Sequence, residues 1–267
     1  MAKSWDIAGG QGRHDAIDAF HVVQTFIDAA RLVRTAQQLS LLMEQITHDM
    51  GFDHYALIHH VDHRMDARGV SIRLENYPPA WVEIFLEREL YSWDPIHLAS
   101  YSTNVAFAWS DVPHMIRLSK RHKDVLKAAA LEGLGDGFTV PANLPGEANG
   151  SCSFAVRAGR DLPRERLAMV QTIGCFAFQA ARDLALEAFP SALPHSRVAL
   201  SPRQLDCVLL AGRGKSDWEI GQILGLKQTT VTEYLDAARD RYGVARRVQL
   251  ILRAVHDGQI ALSDLLR

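Results

Sequence analysis

Cysteine is scarce. Cys152, Cys175 and Cys207 are the three in the chain. Their spacing matches no zinc-ligand pattern, and an odd number suggests no disulfide framework. No apolar run approaches the ~20 residues needed to span a bilayer. The N-terminal MAKSWDIAGGQGRHDA lacks the apolar core of a secretory signal. These absences lead us to expect a cytoplasmic chain with no membrane partner, no bound metal and no cofactor. An excess of one charge is also missing: 29 basic residues stand against 31 acidic ones, a formal charge of −2. That excludes a polybasic coat but not a local basic patch. Neither an internal repeat nor a low-complexity tract interrupts the chain. Catalytic signatures are absent as well: no G-x-S-x-G elbow, no H-E-x-x-H helix and no evident nucleophile–base pair, so an enzyme is not expected. GRGKS resembles the end of a phosphate loop, but Leu209 stands where that loop needs its first glycine.

What remains is 267 residues, 48% of them hydrophobic, enough to bury a real core. Residues 1–15 read as a flexible, polar extension. From Ala16 the pattern turns helical, with Ile17, Phe20, Val23, Ile27 and Ala30 at three- and four-residue steps. A second helix carries Leu39, Leu42, Met43, Ile46 and Met50 and stops at Gly51. Strands are expected near 54–61, 70–75, 137–143 and 151–157, with helices at about 79–91 and 117–132. A long helix over 163–188 is apolar almost all round, so one side should face the sheet and the other a partner subunit. FPSALPHSRVA, at 189–199, holds two prolines and reads as a linker. Residues 200–267 show four or five short helices and no strand. The fold class is α+β, with a mixed domain over 16–188 and an all-helical module over 200–267.

Helix boundaries in the module are easy to read. Ser201-Pro202-Arg203-Gln204 and Ser216-Asp217-Trp218-Glu219 are both capping boxes. Gly225 suits the left-handed residue that ends a helix, and Leu226-Lys227-Gln228 leads into another from about Thr229 to Tyr242. Two short helices about such a turn are the helix-turn-helix layout, whose second helix can enter the major groove. LSPRQLDCVLLAGRGKSDWEIGQILGLKQTTVTEYLDAARDRYGV resembles the DNA-binding module of LuxR-type transcription regulators. The likeness rests on Leu200, Arg203, Ala211, Gly214-Lys215-Ser216, Glu219-Ile220, Leu224, Thr230-Val231, Leu235, Gly243-Val244 and Gly258-x-Ile260. Lys227 departs from the serine usual in the family at that cap, and a lysine cannot accept the free N–H bonds, a loss of ~1 kcal/mol. Residues 198–267 hold 10 basic and 8 acidic side chains, a weak positive balance. Lys215, Lys227, Arg239, Arg241 and Arg247 are the candidate phosphate contacts. Gln228, Thr229, Thr232 and Glu233 are the candidate base-reading residues of the second helix.

In the mixed domain, NYPPAWVEIFLERELYSWDPIHLASYSTNVAFAW gathers aromatics around one acid. Tyr77 and Trp81 are four apart and would share a helix face, and Asp94 suits the cap of a short helix. An indole can only donate, a carboxylate only accept, and a phenol can do either, a set that suits a small amide or lactone. This stretch, with Trp81, Asp94, Pro95, Trp109 and Gly137 at matching spacing and Tyr77 and Ser153 fitting, resembles the LuxR-type autoinducer-binding domain. The resemblance implies an α-β-α sandwich with an antiparallel sheet. It also implies an N-acyl-homoserine lactone, with Trp81 on the lactone carbonyl, Asp94 on the amide, Tyr77 and Ser153 on the acyl carbonyl, and Trp109 against the ring. Phe85 replaces a tyrosine common in the family, and His97 stands where apolar residues are usual. His60 would share the inward face of the first strand with Ala56 and Ile58 if that strand alternates. These three leave open a receptor for another small molecule, such as a pyrone, a fatty-acid derivative or a host metabolite. His59, His60, Asp62 and His63 have metal-ligand chemistry, but neighbours on a strand point to opposite faces. The expected partners are the autoinducer, a pseudo-palindromic double-stranded DNA operator, a second copy of the chain and, as a candidate, RNA polymerase.

Overall fold

The computed structural model describes residues 10–61, 71–144, 147–188 and 199–266, with only the backbone for 10–18. The expected 189–199 linker lies outside the described residues apart from Ala199, as do residues 1–9 of the expected extension and Asp62 and His63. The chain forms two compact units, the first holding the described residues up to 143 and over 148–188, the second those from 199 on together with Leu144 and Glu147.

The first unit contains helices α1 (Gly10–Leu32), α2 (Ala36–Asp49), α3 (Pro79–Glu87), α4 (Pro95–Ser100), α5 (Val112–Met115), α6 (Lys120–Leu131) and α7 (Leu167–Ala188). Its strands are β1 (His54–His59), β2 (Arg73–Glu75), β3 (Phe107–Ala108), β4 (Leu134–Ala142) and β5 (Gly150–Arg157). They form one antiparallel sheet in the order β2-β1-β5-β4-β3.

Strand alternation sorts side chains into two layers. Tyr55, Leu57, Val140, Cys152, Phe154 and Val156 face a core shared with α1, α2 and α7. Ala56, Ile58, Ser151 and Ser153 face the opposite side, where they line a cavity under α3, α4 and α6. The large apolar residues therefore hold the fold on one face and leave the other for chemistry.

Several boundaries differ from the sequence expectations. Helix α1 begins at Gly10, inside the expected extension, and Phe20 on it is 72% exposed, whereas Phe26, Ile27 and Ala30 are the buried ones among its described side chains. Helix α7 packs on β4 and β5, and α1 and α2 of the same chain cover part of its other side. The expected helix over 79–91 stops at Glu87; Glu89 takes a left-handed φ of 55°, and a 3-10 turn over Leu90–Trp93 follows. Tyr77 precedes Pro78, the cap of α3, and so is not on that helix.

The second unit contains α8 (Pro202–Gly212), α9 (Asp217–Leu224), α10 (Gln228–Tyr242), α11 (Arg247–His256) and α12 (Leu262–Leu265). Both capping boxes form, and Gly225 ends α9 at φ +67°. Cys207, Val208, Ile220, Val231, Leu235 and Leu250 are central to a hydrophobic core of its own. Among the described residues, no helix is long and apolar enough to cross a membrane.

Candidate functional site

The first unit encloses a cavity of about 80 Å³ between the polar face of the sheet and helices α3, α4 and α6. Tyr77, Trp81, Phe85, Asp94, His97, Trp109 and Ser153 all line it. His60 is not on the lining; it backs His97, ring stacked on ring with centroids 3.7 Å apart and 16° between planes.

Asp94 caps α4, its Oδ1 accepting from the Ile96 N–H at 2.8 Å. Its Oδ2 lies 3.5 Å from His97 Nε2 and, with 13% of the side chain exposed, retains lone pairs for a ligand donor. One carboxylate therefore starts the helix and presents an acceptor to the cavity. Burial lowers the His97 pKa, with Asp94 opposing the shift, so the ring is neutral at neutral pH.

A chain of hydroxyls runs from Trp109 into the sheet. Trp109 donates its indole N–H to Thr139 Oγ1 at 2.8 Å, and Thr139 lies 2.8 Å from Ser153 Oγ. An indole can only donate, so Thr139 accepts there, while in the Thr139–Ser153 pair either hydroxyl can be the donor. Ser153 of this pair and the Tyr77 phenol both line the cavity. Burial, then the Asp94 charge, raises the Tyr77 pKa, so the phenol stays protonated. Trp109 thus spends its N–H within the protein and offers a ring face. Gly137 makes room for that ring: a Cβ there would lie 2.4 Å from Trp109 Cε2.

Three polar cavity groups were missed by sequence reasoning, Ser151, Arg73 and Glu75, and so was Thr139, which bonds Trp109 and Ser153. Thr139 touches Ser153 only through the β4–β5 register, which no local pattern reveals. Ser151 was findable, being two residues from Ser153 on one strand and so on the same face. Arg73 and Glu75 sit on the short strand β2 and pair at 3.3 Å. His59 points away from the cavity: it is buried, accepts from the Ile72 N–H at Nδ1 and packs edge-on against Phe178.

In the second unit, α9 and α10 flank the turn at Gly225, and Lys227, Gln228, Thr229 and Glu233 are exposed on the leading part of α10. Other sequence candidates are engaged inside the unit. Thr232 donates to Asp217 at 2.8 Å, Arg247 bonds Asp217 and the Lys215 carbonyl, and Arg239 bonds Asp236 and the Ala245 carbonyl. Arg241 donates to the Ala199 carbonyl at 2.7 Å, and Lys215 lies 3.7 Å from Glu219. Burial opposes the Asp217 charge, but the Arg247 and Thr232 hydrogen bonds outweigh it and hold that carboxyl below its usual range. A small unit uses these arginines to satisfy its own carbonyls and acids, and each guanidinium has further N–H donors beyond those bonds.

Lys227 caps α10 with no side-chain bond. Lys227→Ser should therefore stabilise the unit by ~1 kcal/mol, raising its Tm by about 4–8 °C. The lost cation should lower the salt slope of DNA binding by about 1. Thermal unfolding and a salt titration of DNA affinity check both.

The autoinducer binding domain profile matches residues 35–182, more than half of the chain. The profile of bacterial regulatory proteins of the luxR family matches residues 198–254. The chain is a LuxR-family regulator. It is 27% identical to the transcriptional activator AhyR of Aeromonas hydrophila over 229 residues, covering 85% of this chain and 87% of that one. It is 26% identical to the activator LuxR of Aliivibrio fischeri over 244 residues, 88% of this chain and 92% of that one. The crystal structure of Escherichia coli SdiA shares the fold at a TM-score of 0.59 and 21% identity, covering 90% of this chain and 98% of that one. The regulator is thus a ligand-binding, DNA-binding transcription factor and not an enzyme.

Proposed function

We propose that the regulator binds an N-acyl-homoserine lactone in the first unit and, as a homodimer, a pseudo-palindromic promoter site through α10. The observation that carries this reading is the convergence of Asp94, Trp81, Tyr77 and Ser153 on one cavity, beside the Trp109 ring. Asp94 accepts the amide N–H, Ser153 and Tyr77 hold the acyl carbonyl, and Trp81 donates to the lactone carbonyl while Trp109 covers its ring.

A ligand enclosed in this way becomes part of the core and stabilises the folded state by mass action. Dimerisation doubles a meagre set of phosphate contacts and matches a two-fold DNA site. Val248 and Leu252, four residues apart on α11 and 62% and 64% exposed, offer a second copy an apolar stripe. RNA polymerase is the partner proposed for the promoter-bound dimer.

Thermal unfolding of the full chain against a panel of acyl-homoserine lactones tests the ligand. At a free ligand concentration 100 times Kd, the expected stabilisation is about 2.7 kcal/mol. No stabilisation by any member would favour the second reading, a receptor for a different small molecule. Phe85 and His97 on the cavity wall support that reading.

A further inference from the structure

The sheet face under the cavity is built in rows, because cross-strand neighbours carry their side chains on the same side. One row is Glu75, Ala56, Ser153 and Thr139; the next holds Arg73, Ile58 and Ser151. The rows lie ~7 Å apart, two residue rises along a strand. Ser153, in the first row, belongs to the amide grip. On its far side Trp109 lies over Gly137, with Trp81 and Leu134 in the same apolar cluster, which suits a compact ring. A tail leaving that grip in the other direction reaches the second row.

That row is polar. The Ser151 hydroxyl is 2.9 Å from His60 Nε2, and His60 stacks on His97. The Arg73 guanidinium lies 3.3 Å from Glu75, whose other oxygen accepts from the Tyr77 N–H at 3.2 Å. A plain alkyl tail would cover these groups and offer them nothing, at the cost of stripping their water. The cavity sets one guanidinium, Arg73, against two carboxylates, Glu75 and Asp94, so an anionic tail gains no net attraction.

Resting on the lactone reading above, we propose that Arg73 and Ser151 form a specificity subsite for a neutral hydrogen-bonding oxygen, a hydroxyl or carbonyl, on the acyl group beyond the amide. Arg73 donates to that oxygen, and Ser151 donates or accepts as the group requires.

The test is titration of the full chain with three probes: N-hexanoyl-homoserine lactone, its ω-hydroxyhexanoyl analogue and its hexanedioyl (terminal carboxylate) analogue. The hydroxylated probe should bind about tenfold more tightly than the hexanoyl one, as one added hydrogen bond predicts. Arg73→Met, which keeps the aliphatic stem, and Ser151→Ala should each move that ratio toward one. Equal affinity for hexanoyl and hydroxyhexanoyl probes, or tightest binding of the carboxylate, overturns the subsite and leaves the lactone reading standing. A preference that survives in both variants does the same. Failure of all three to bind overturns the lactone reading and the subsite with it. The comparison of probes on the unaltered protein needs no variant to fold.

Discussion

Asparagine in place of Asp94 is expected to weaken the response to an acyl-homoserine lactone by about 10- to 100-fold, the ~1.5–3 kcal/mol of a hydrogen bond to a charged group. The fold should survive, because asparagine caps helices as well as aspartate does. Its single oxygen can still accept from the Ile96 N–H, as Asp94 Oδ1 does at 2.8 Å. With that oxygen held at the cap, the NH2 takes the place of Oδ2 and meets the ligand amide donor to donor. The loss should appear as a rightward shift in the ligand dose response, with DNA affinity at saturating ligand unchanged. Equal loss of DNA affinity there would refute the division of labour between the two units.

Gly221→Val should have the opposite outcome. Gly221 is buried on α9, and a Cβ on it would lie 2.7 Å from the Leu226 carbonyl oxygen. The Leu226 N–H closes the turn on the Gly221 carbonyl at 2.9 Å. Any side chain must therefore push α9 away from the segment that leads into α10. Overpacking of this kind costs typically ~1–3 kcal/mol, a large share of the stability of so small a unit. DNA binding by the full chain should be abolished, while the ligand-induced stabilisation of the first unit persists, because that unit has a separate core. A gel-shift assay alongside a ligand thermal shift separates the two effects; retained DNA binding would show that the turn tolerates a side chain.

The helix-turn-helix was legible because its signals are local. A cap, the third residue after it and the closing glycine lie within one or two helical turns, so Ser201, Ser216 and Gly225 marked real boundaries. What the sequence did not show were bonds whose partner is distant in the chain. Arg241 and Ala199 are 42 residues apart, and Arg247 and Asp217 are 30 apart. A list of exposed cations drawn from sequence could not anticipate either bond. Phe20 failed for a related reason: helical periodicity identifies an apolar stripe but not how far along the helix its cover extends.

By itself, the sequence determined the α+β division, the helix-turn-helix and the residue types of the cavity: Tyr77, Trp81, Asp94, Trp109 and Ser153 are chemically suited to an amide and a ring. Only the tertiary structure decided what each atom has left to offer. It occupies the Trp109 N–H with Thr139, pairs Ser153 with Thr139, caps α4 with one oxygen of Asp94 and turns Arg73 and Ser151 to the same face. The physical reason is that residue type sets how many hydrogen bonds a group can make, whereas strand register sets which of them are already made.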